Sequence, residues 1–233
     1  MIAALALGQV ATAGSFSVSP TRIELLPGQR AAVITLRNAD ASPLTVQVEL
    51  VDWSQASGDD KYTPTRDLLA TPPVFTLPPN SEQVVRIALR AAQDGTAEKS
   101  FRIFFQEVPQ EVKPGFNGLN VALRVGVPIF IAPKQAAEGK LEWSLRQQED
   151  GRLRVEAVNN GNAHVQVTGF ELSVASLSER LPVEQMRYVL PGARISWTID
   201  APRSKATDLA RARVVGSSDR GNFDAQAAVE ARP

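Results

Sequence analysis

The chain has 233 residues, with 25 basic and 25 acidic side chains, 43% hydrophobic residues and no cysteine. That length suffices for one large domain or two ordinary ones, each with its own core. Balanced charge implies neither nucleic acid nor an anionic membrane as partner, and the lack of cysteine excludes thiolate metal sites, a cysteine nucleophile and disulfides.

The chain opens on the apolar run Met1 to Leu7, followed by the small-residue pattern Ala11-Thr12-Ala13 and then Gly14-Ser15. Residues 1–13 resemble the back half of a secretory signal peptide, without its charged front. No later segment reaches 18 uncharged apolar residues, so no membrane-spanning helix is expected and a secreted, soluble protein is.

From Phe16 onward the chain reads as all-β. Strand-like runs cover Phe16 to Leu25, Ala31 to Arg37, Thr45 to Trp53, Gln83 to Arg90, Phe101 to Val108 and Leu119 to Ile131. Val, Ile, Thr and Phe dominate them, and turn residues such as Pro27-Gly28 and Asn38-Ala39-Asp40 separate them. This spacing predicts an immunoglobulin-like sandwich. Ala132 to Lys140 interrupts the pattern like a linker, after which strands resume at Leu141 to Arg146, Leu153 to Asn159, His164 to Leu172, Ile195 to Ile199, Arg211 to Val215 and Gln226 to Val229. The expected layout is residues 14–134 as one domain and 135–233 as a second. A faint internal echo favours two related halves: Ile34 to Asn38 with Val155 to Asn160, and Leu77-Pro78-Pro79 with Leu190-Pro191-Gly192.

The stretch Leu119 to Ile129 places a large aliphatic at every odd position, on one face of a strand. Eleven residues at strand rise span roughly 36 Å, about twice the usual length. Such a strand either overhangs its own core or offers part of its apolar row to another protein.

Little points to catalysis. The single histidine, His164, opens an alternating strand, where a surface or turn role is commoner than that of a base. There is no G-x-S-x-G elbow, phosphate loop or HExxH pair. Ser57-Gly58-Asp59-Asp60-Lys61 lacks the carboxylate ladder of a calcium loop and reads as a solvated hairpin tip. No cofactor or metal is expected. Arginines do stand inside apolar strands, at Arg22, Arg86, Arg102 and Arg124. A guanidinium half-shielded by apolar walls makes a strong bidentate site for a carboxylate. Together with an overhanging apolar strand, this suggests recognition of the end of an extended peptide.

Three first-half segments are similar to the periplasmic pilus-assembly chaperones of chaperone–usher systems. They are Ser19 to Arg30, Thr71 to Ile87 and Phe104-Phe105-Gln106-Glu107-Val108-Pro109, with weaker likeness at Val158 to Asn162 and Gly216 to Gly221. The resemblance implies two immunoglobulin-like β-sandwich domains in an L shape, in the periplasm, and no enzymatic activity. It implies that pilin or fimbrial subunits borrow the long strand through Leu119, Val121, Leu123 and Val125, and that an outer-membrane usher receives them. It also admits a self-capping dimer. Arg22 matches the family arginine that grips the subunit carboxylate. The family's partner lysine falls at Pro128, so Arg102 or Arg124 is expected to substitute, as in a divergent, archaic branch. Glu98 and Asp219 match an interdomain ion network whose arginine position holds Ala132. The loop from Pro109 to Gly118 is short and free of cysteine. The rival reading is an adhesion or scaffold protein of two such domains without subunit transfer. A carbohydrate-active module has less support, since Trp53, Trp143 and Trp197 are scattered along alternating strands.

Overall fold

Pro20 cannot donate to a ladder, and the first strand-like run breaks there. In the computed structural model, which describes residues 16–91, 95–109, 121–174, 180–200 and 212–230, that run is two strands, β1 (Phe16–Ser19) and β2 (Ile23–Leu25). The chain leaves one sheet and joins the other in the three residues between them. Next come β3 (Ala31–Asn38), β4 (Leu44–Ala56), β5 (Asp59–Pro64), β6 (Leu68–Thr71), β7 (Val74–Leu77), β8 (Glu82–Leu89), β9 (Lys99–Glu107) and β10 (Arg124–Ile131). They form one sheet in the order β1-β3-β8-β6 and a second in the order β2-β10-β9-β4-β5, with β7 also on β4. Alternate residues of both close on a core that includes Ile34, Leu36, Val85, Ile87, Phe101, Ile103 and Phe105.

The second half comprises β11 (Leu141–Gln147), β12 (Leu153–Asn159), β13 (Val165–Val174), β14 (Leu181–Val183), β15 (Arg187–Val189), β16 (Arg194–Ile199), β17 (Ala212–Ser218) and β18 (Gly221–Val229). These strands share one hydrogen-bonded sheet, continuous because β11 pairs β12 on one side and β18 on the other. It wraps a separate core of Trp143, Leu145, Val155, Val167, Phe170, Trp197 and Val214. Residues 132–140 carry no strand.

The internal echo is physical. Asn38 is fully buried, and its Nδ2 donates to the carbonyls of Ser42 (2.8 Å), Leu77 (3.2 Å) and Pro78 (3.2 Å), while Oδ1 accepts from Asp40 N (2.9 Å). Asn159, equally buried, donates to Ala163 O (2.8 Å) and Val189 O (2.9 Å) and accepts from Gly161 N (2.9 Å). Each backbone N–H completes the pattern, Asn38 N to Ser81 O and Asn159 N to Ala193 O. The repeat is therefore offset by one residue from the sequence match: Leu77 corresponds to Val189 and Asn80 to Gly192. Both of the last pair adopt positive φ, 54° and 72°, which the turn requires.

The buried amide of either asparagine satisfies carbonyls that would otherwise be orphaned. Asn38→Ala and Asn159→Ala are each expected to destabilise their own half by about 2–4 kcal/mol. Urea unfolding followed by near-UV circular dichroism checks this, with only one of two transitions moving in each variant.

Candidate functional site in the cleft between the domains

β10 positions the site. Its odd residues Val127, Ile129 and Ile131 enter the first core, so Pro128 and Phe130 face the other way. Register fixes their neighbours. Pro128 lies opposite Arg102 on β9, and Ile129 lies beside Ile23 of the parallel strand β2. Arg22, directly before β2, therefore stands level with Pro128 on the opposite side from Arg102. Arg22, Pro128 and Arg102 form one row across the sheet, facing the second domain.

β2 covers only Ile129–Ile131 of β10. Among the described residues no strand pairs the outer edge of β10 from Arg124 to Pro128. Along that edge the odd row runs from buried to open: Val127 is 2% exposed, Val125 and Leu123 lie partly buried at the core margin, and Val121 is 51% exposed. Regular pairing begins at Arg124, five residues later than the alternation suggests, and Leu119 lies outside the described residues.

The second domain meets this face through an aromatic plug. Trp53, Phe130, Leu190 and Ala193 are buried together, with Tyr188 against them. The Trp53 and Tyr188 rings sit edge to face at 5.3 Å. The hairpin β4–β5 reaches across: Gln55 Nε2 donates to Tyr188 O (3.0 Å), Gln55 Oε1 accepts from Leu190 N (3.0 Å), and Gly58 O accepts from Arg187 Nη2 (2.7 Å). The tip at Ser57-Gly58 is thus a docking point rather than a solvated turn.

Beside the plug is a cleft of about 220 Å³ lined by Arg22, Glu24, Glu98, Phe130, His164 and Asp219, among others. His164 is not on the surface; only 3% of its side chain is exposed. Its ring stacks on Phe130, with centroids 3.6 Å apart. Nδ1 lies 2.8 and 2.9 Å from the two oxygens of Glu98, and Nε2 lies 3.3 Å from Asp219 Oδ2, an ionic contact off the line of a good hydrogen bond. Asp219 Oδ1 accepts from Gln166 N (2.8 Å), and its Oδ2 accepts from Arg22 Nη1 (2.9 Å). Arg22 Nε also meets Glu24 at 3.0 Å. Burial opposes charge on His164, but the contacts with the Asp219 and Glu98 carboxylates outweigh it and hold the imidazole above its ordinary pKa. Burial likewise opposes charge on Asp219, and His164, the Gln166 N–H and Arg22 together pull its carboxyl below the usual range.

Arg102 stacks over Trp53, 4.2 Å from the ring centroid, with Asp60 3.9 Å away. Arg124 sits four residues from Pro128, about 13 Å along the strand. It lies 4.0 Å over the Phe104 ring and pairs with Glu49 at 2.8 Å. The cleft therefore takes in Arg22; Arg102 shares its row across the sheet but lies over Trp53, and Arg124 stands outside. Arg86, on β8, belongs to the other sheet. Glu98 and Asp219 converge on His164, and Ala132 lines the same cleft.

The sequence of the first half decides the family: residues 15–137 match the pili and flagellar-assembly chaperone family, PapD N-terminal domain. The chain belongs to it. It is a pilus-assembly chaperone in family and no enzyme, and the adhesion or scaffold reading falls away. Solved structures agree on the fold. The CsuC–CsuE chaperone–tip adhesion subunit complex of the archaic Csu pili of Acinetobacter baumannii aligns at TM-score 0.70 and 19% identity, covering 93% of this chain and 100% of that one. The Salmonella enterica SafA pilin–SafB chaperone complex aligns at TM-score 0.63 and 19% identity, over 93% and 98% of the two chains. The periplasmic chaperone SfaE gives TM-score 0.54 at 18% identity, over 92% and 100%. No curated protein sequence matches the chain.

Sequence reasoning missed His164, Tyr188 and Arg220, whose Nε donates to His164 O at 2.8 Å. Alternation does imply that His164 points away from its own core, since Val165 and Val167 point in. It cannot show that the first domain covers the other side.

A group whose pKa rises on folding stabilises fully below its unfolded value, near 6.5 for histidine, and the gain fades as pH climbs through the folded value. His164→Ala leaves two carboxylates facing each other and is expected to cost about 3 kcal/mol at pH 6. Calorimetry across pH checks the sign: the difference in Tm between wild type and variant should shrink toward pH 9.

Proposed function

We propose that the chain is a periplasmic chaperone that captures pilin-like subunits by lending them β10 and delivers them to an outer-membrane usher. Residues 14–134 would form the capturing domain and 135–233 the second, after a signal-like segment at 1–13. The observation that carries this reading is the open edge of β10 with its graded apolar row. An unpaired edge beside exposed aliphatics is an aggregation hazard unless it has a guest. A subunit whose own fold lacks a strand has the complementary defect, and one pairing event covers both.

The position of Arg22 favours one direction for the guest. A guest strand on Arg124–Pro128 occupies the same lane as β2 and ends where β2 begins. Arg22 stands at that junction, and Arg102 faces it across Pro128, two strand spacings or roughly 10 Å away at the backbone. If the guest runs parallel to β10, as β2 does, its terminal carboxylate arrives at Arg22, with Arg102 across β10 on the same face. Such a contact contributes register more than affinity. Affinity comes from backbone pairing and from Leu119, Val121, Leu123 and Val125, at about 1.5–3 kcal/mol of gross transfer energy for each side chain fully buried. Leu123 and Val125 are already half-sheltered, so Val121 gains more than either. Release needs no nucleotide, because a better-fitting strand from the next subunit replaces the borrowed one.

The CsuC and SafB structures are complexes with a tip adhesion subunit and a pilin, respectively, which supports this class of partner. Periplasmic residence is supported by the signal-like segment and by the description of SfaE. The same open edge would let two free copies cap each other.

Co-expression with fimbrial subunits encoded nearby, followed by pull-down from periplasmic extract, is the test. Val121→Asp and Leu123→Asp should abolish recovery of soluble subunit with Tm little changed for the former; normal recovery in both would end the strand-lending reading. Arg22→Ala and Arg102→Ala should each weaken capture at least about tenfold, the scale of a lost hydrogen-bonded charge contact. Arg124→Ala should leave it unchanged.

A further inference from the structure

We infer that His164 and Asp219 are positioning residues for Arg22, so that a proton on His164 frees Arg22 to take the guest's carboxylate. The inference rests on the reading of Arg22 as the carboxylate anchor.

One oxygen is shared. Asp219 Oδ2 accepts from Arg22 Nη1 at 2.9 Å and faces His164 Nε2 at 3.3 Å. On the other side of the ring, Nδ1 lies between the Glu98 oxygens at 2.8 and 2.9 Å. A neutral imidazole has one N–H and one lone pair, so either tautomer turns a lone pair on one of the two carboxylates. With the hydrogen on Nδ1, where Glu98 holds it, the lone pair faces Asp219, and that carboxylate's remaining cation is Arg22. Protonation replaces the lone pair by an N–H, and Asp219 then has a second cation. The hold on Arg22 loosens, and a foreign carboxylate competes for it on better terms.

The other groups around the ring do not supply this switch. Phe130 on β10 stacks on one face and carries no charge; Tyr188 on β15 lies 5.7 Å from the ring and its hydroxyl also interacts with Arg22, but burial raises its pKa, so it stays a neutral phenol while His164 titrates. Arg220, in the turn after β17, spends its Nε on the His164 carbonyl. Glu24 on β2 meets Arg22 at Nε, 3.0 Å away, and not at the Nη1 that Asp219 holds. In the segment before β9, Glu98 meets Nδ1 and the His164 backbone N–H, and not Nε2. Gln166 Oε1 also accepts from Arg22 Nη1, at 3.4 Å, but carries no charge, so the shortest route from the His164 proton to Arg22 among the described residues is the Asp219 carboxylate.

Binding linkage is reciprocal. If the proton favours carboxylate binding, carboxylate binding must raise the His164 pKa. The chain has a single histidine, so its imidazole proton resonances belong to His164 without assignment. Titrating them in the full chain should show an upward shift in Arg22→Ala, where Asp219 loses its competing cation, and a downward shift in Asp219→Asn. An N-acetylated peptide of alternating valine and threonine with a free terminal carboxylate should raise the midpoint; the same peptide as a carboxamide should not. The carboxylate peptide should bind at least about fivefold tighter at pH 6 than at pH 9, the low end of ordinary inter-site coupling. In His164→Gln that profile should be flat. An unmoved titration in Arg22→Ala, or no effect of the carboxylate peptide on it, overturns the linkage. Equal binding of carboxylate and carboxamide overturns the anchor itself, which is a separate result.

Discussion

Three residues of β2 lie parallel to the last three of β10, Ile23–Leu25 beside Ile129–Ile131, and this short pairing governs the geometry of the cleft. Had β2 been longer, it would have sealed the edge from Arg124 to Pro128 and filled the lane in which a guest can lie. Had it been absent, nothing would set Arg22 level with Pro128. The break at Pro20 shortens β2 by moving the chain between sheets, and the even spacing of strands then carries the consequence across to Arg102. An open edge is a liability in a soluble protein. Here Pro128 removes one donor from it, and Arg124 and Glu49 place charge nearby.

The cleft is held by contacts of two kinds. The aromatic group of Trp53, Phe130 and Tyr188 gives apolar area, while the Gln55 and Gly58 hydrogen bonds fix the orientation in which that area is buried. The duplicated asparagine corner links this interface to the folding of each half. Asn159 pins the loop that ends at Ala163, so the next residue, His164, is delivered to the first domain at a fixed height. In the first half the equivalent corner at Asn38 pins Ser42, and among the described residues its hydrogen bonds stay within that half. The same structural unit serves packing in one half and an interface in the other.

Much of the fold is legible in the residues. Leu153 to Asn159 is a strand at both predicted ends, and the two-sandwich layout follows from alternation and turn chemistry. The strands that alternation does not reveal, β5, β6, β7, β14 and β15, are three to six residues long, too short to show a period, and β5 is exposed throughout. Their pairing is decided by β4, β8 and β13, not by their own composition. β10 begins at Arg124 because pairing needs β9, whose last residue is Glu107; alternation upstream has no partner to register against. The echo at Leu190 is off by one because a Leu-Pro match outweighs a turn glycine in a string, whereas in space the positive-φ position is what must coincide. Glu98 and Asp219 are visible through family resemblance, yet the group between them is not, because no pattern along one strand shows that its ring meets the opposite domain.

That substitution follows from electrostatics. Two largely buried carboxylates need a cation, since each is costly to bury unpaired. Ala132 beside them has no charge to offer, and β10 turns Phe130 toward the interface. His164 fills the vacancy from the second domain and uses Phe130 as the surface it stacks on. An arginine in that place would have been permanently charged. A histidine gives the same pairing only while protonated, so the chain obtains its domain contact with a group whose charge changes in the neutral range. Because Asp219 also binds Arg22, the protonation state at the interface reaches the cation at the end of the guest's lane through a single carboxylate oxygen.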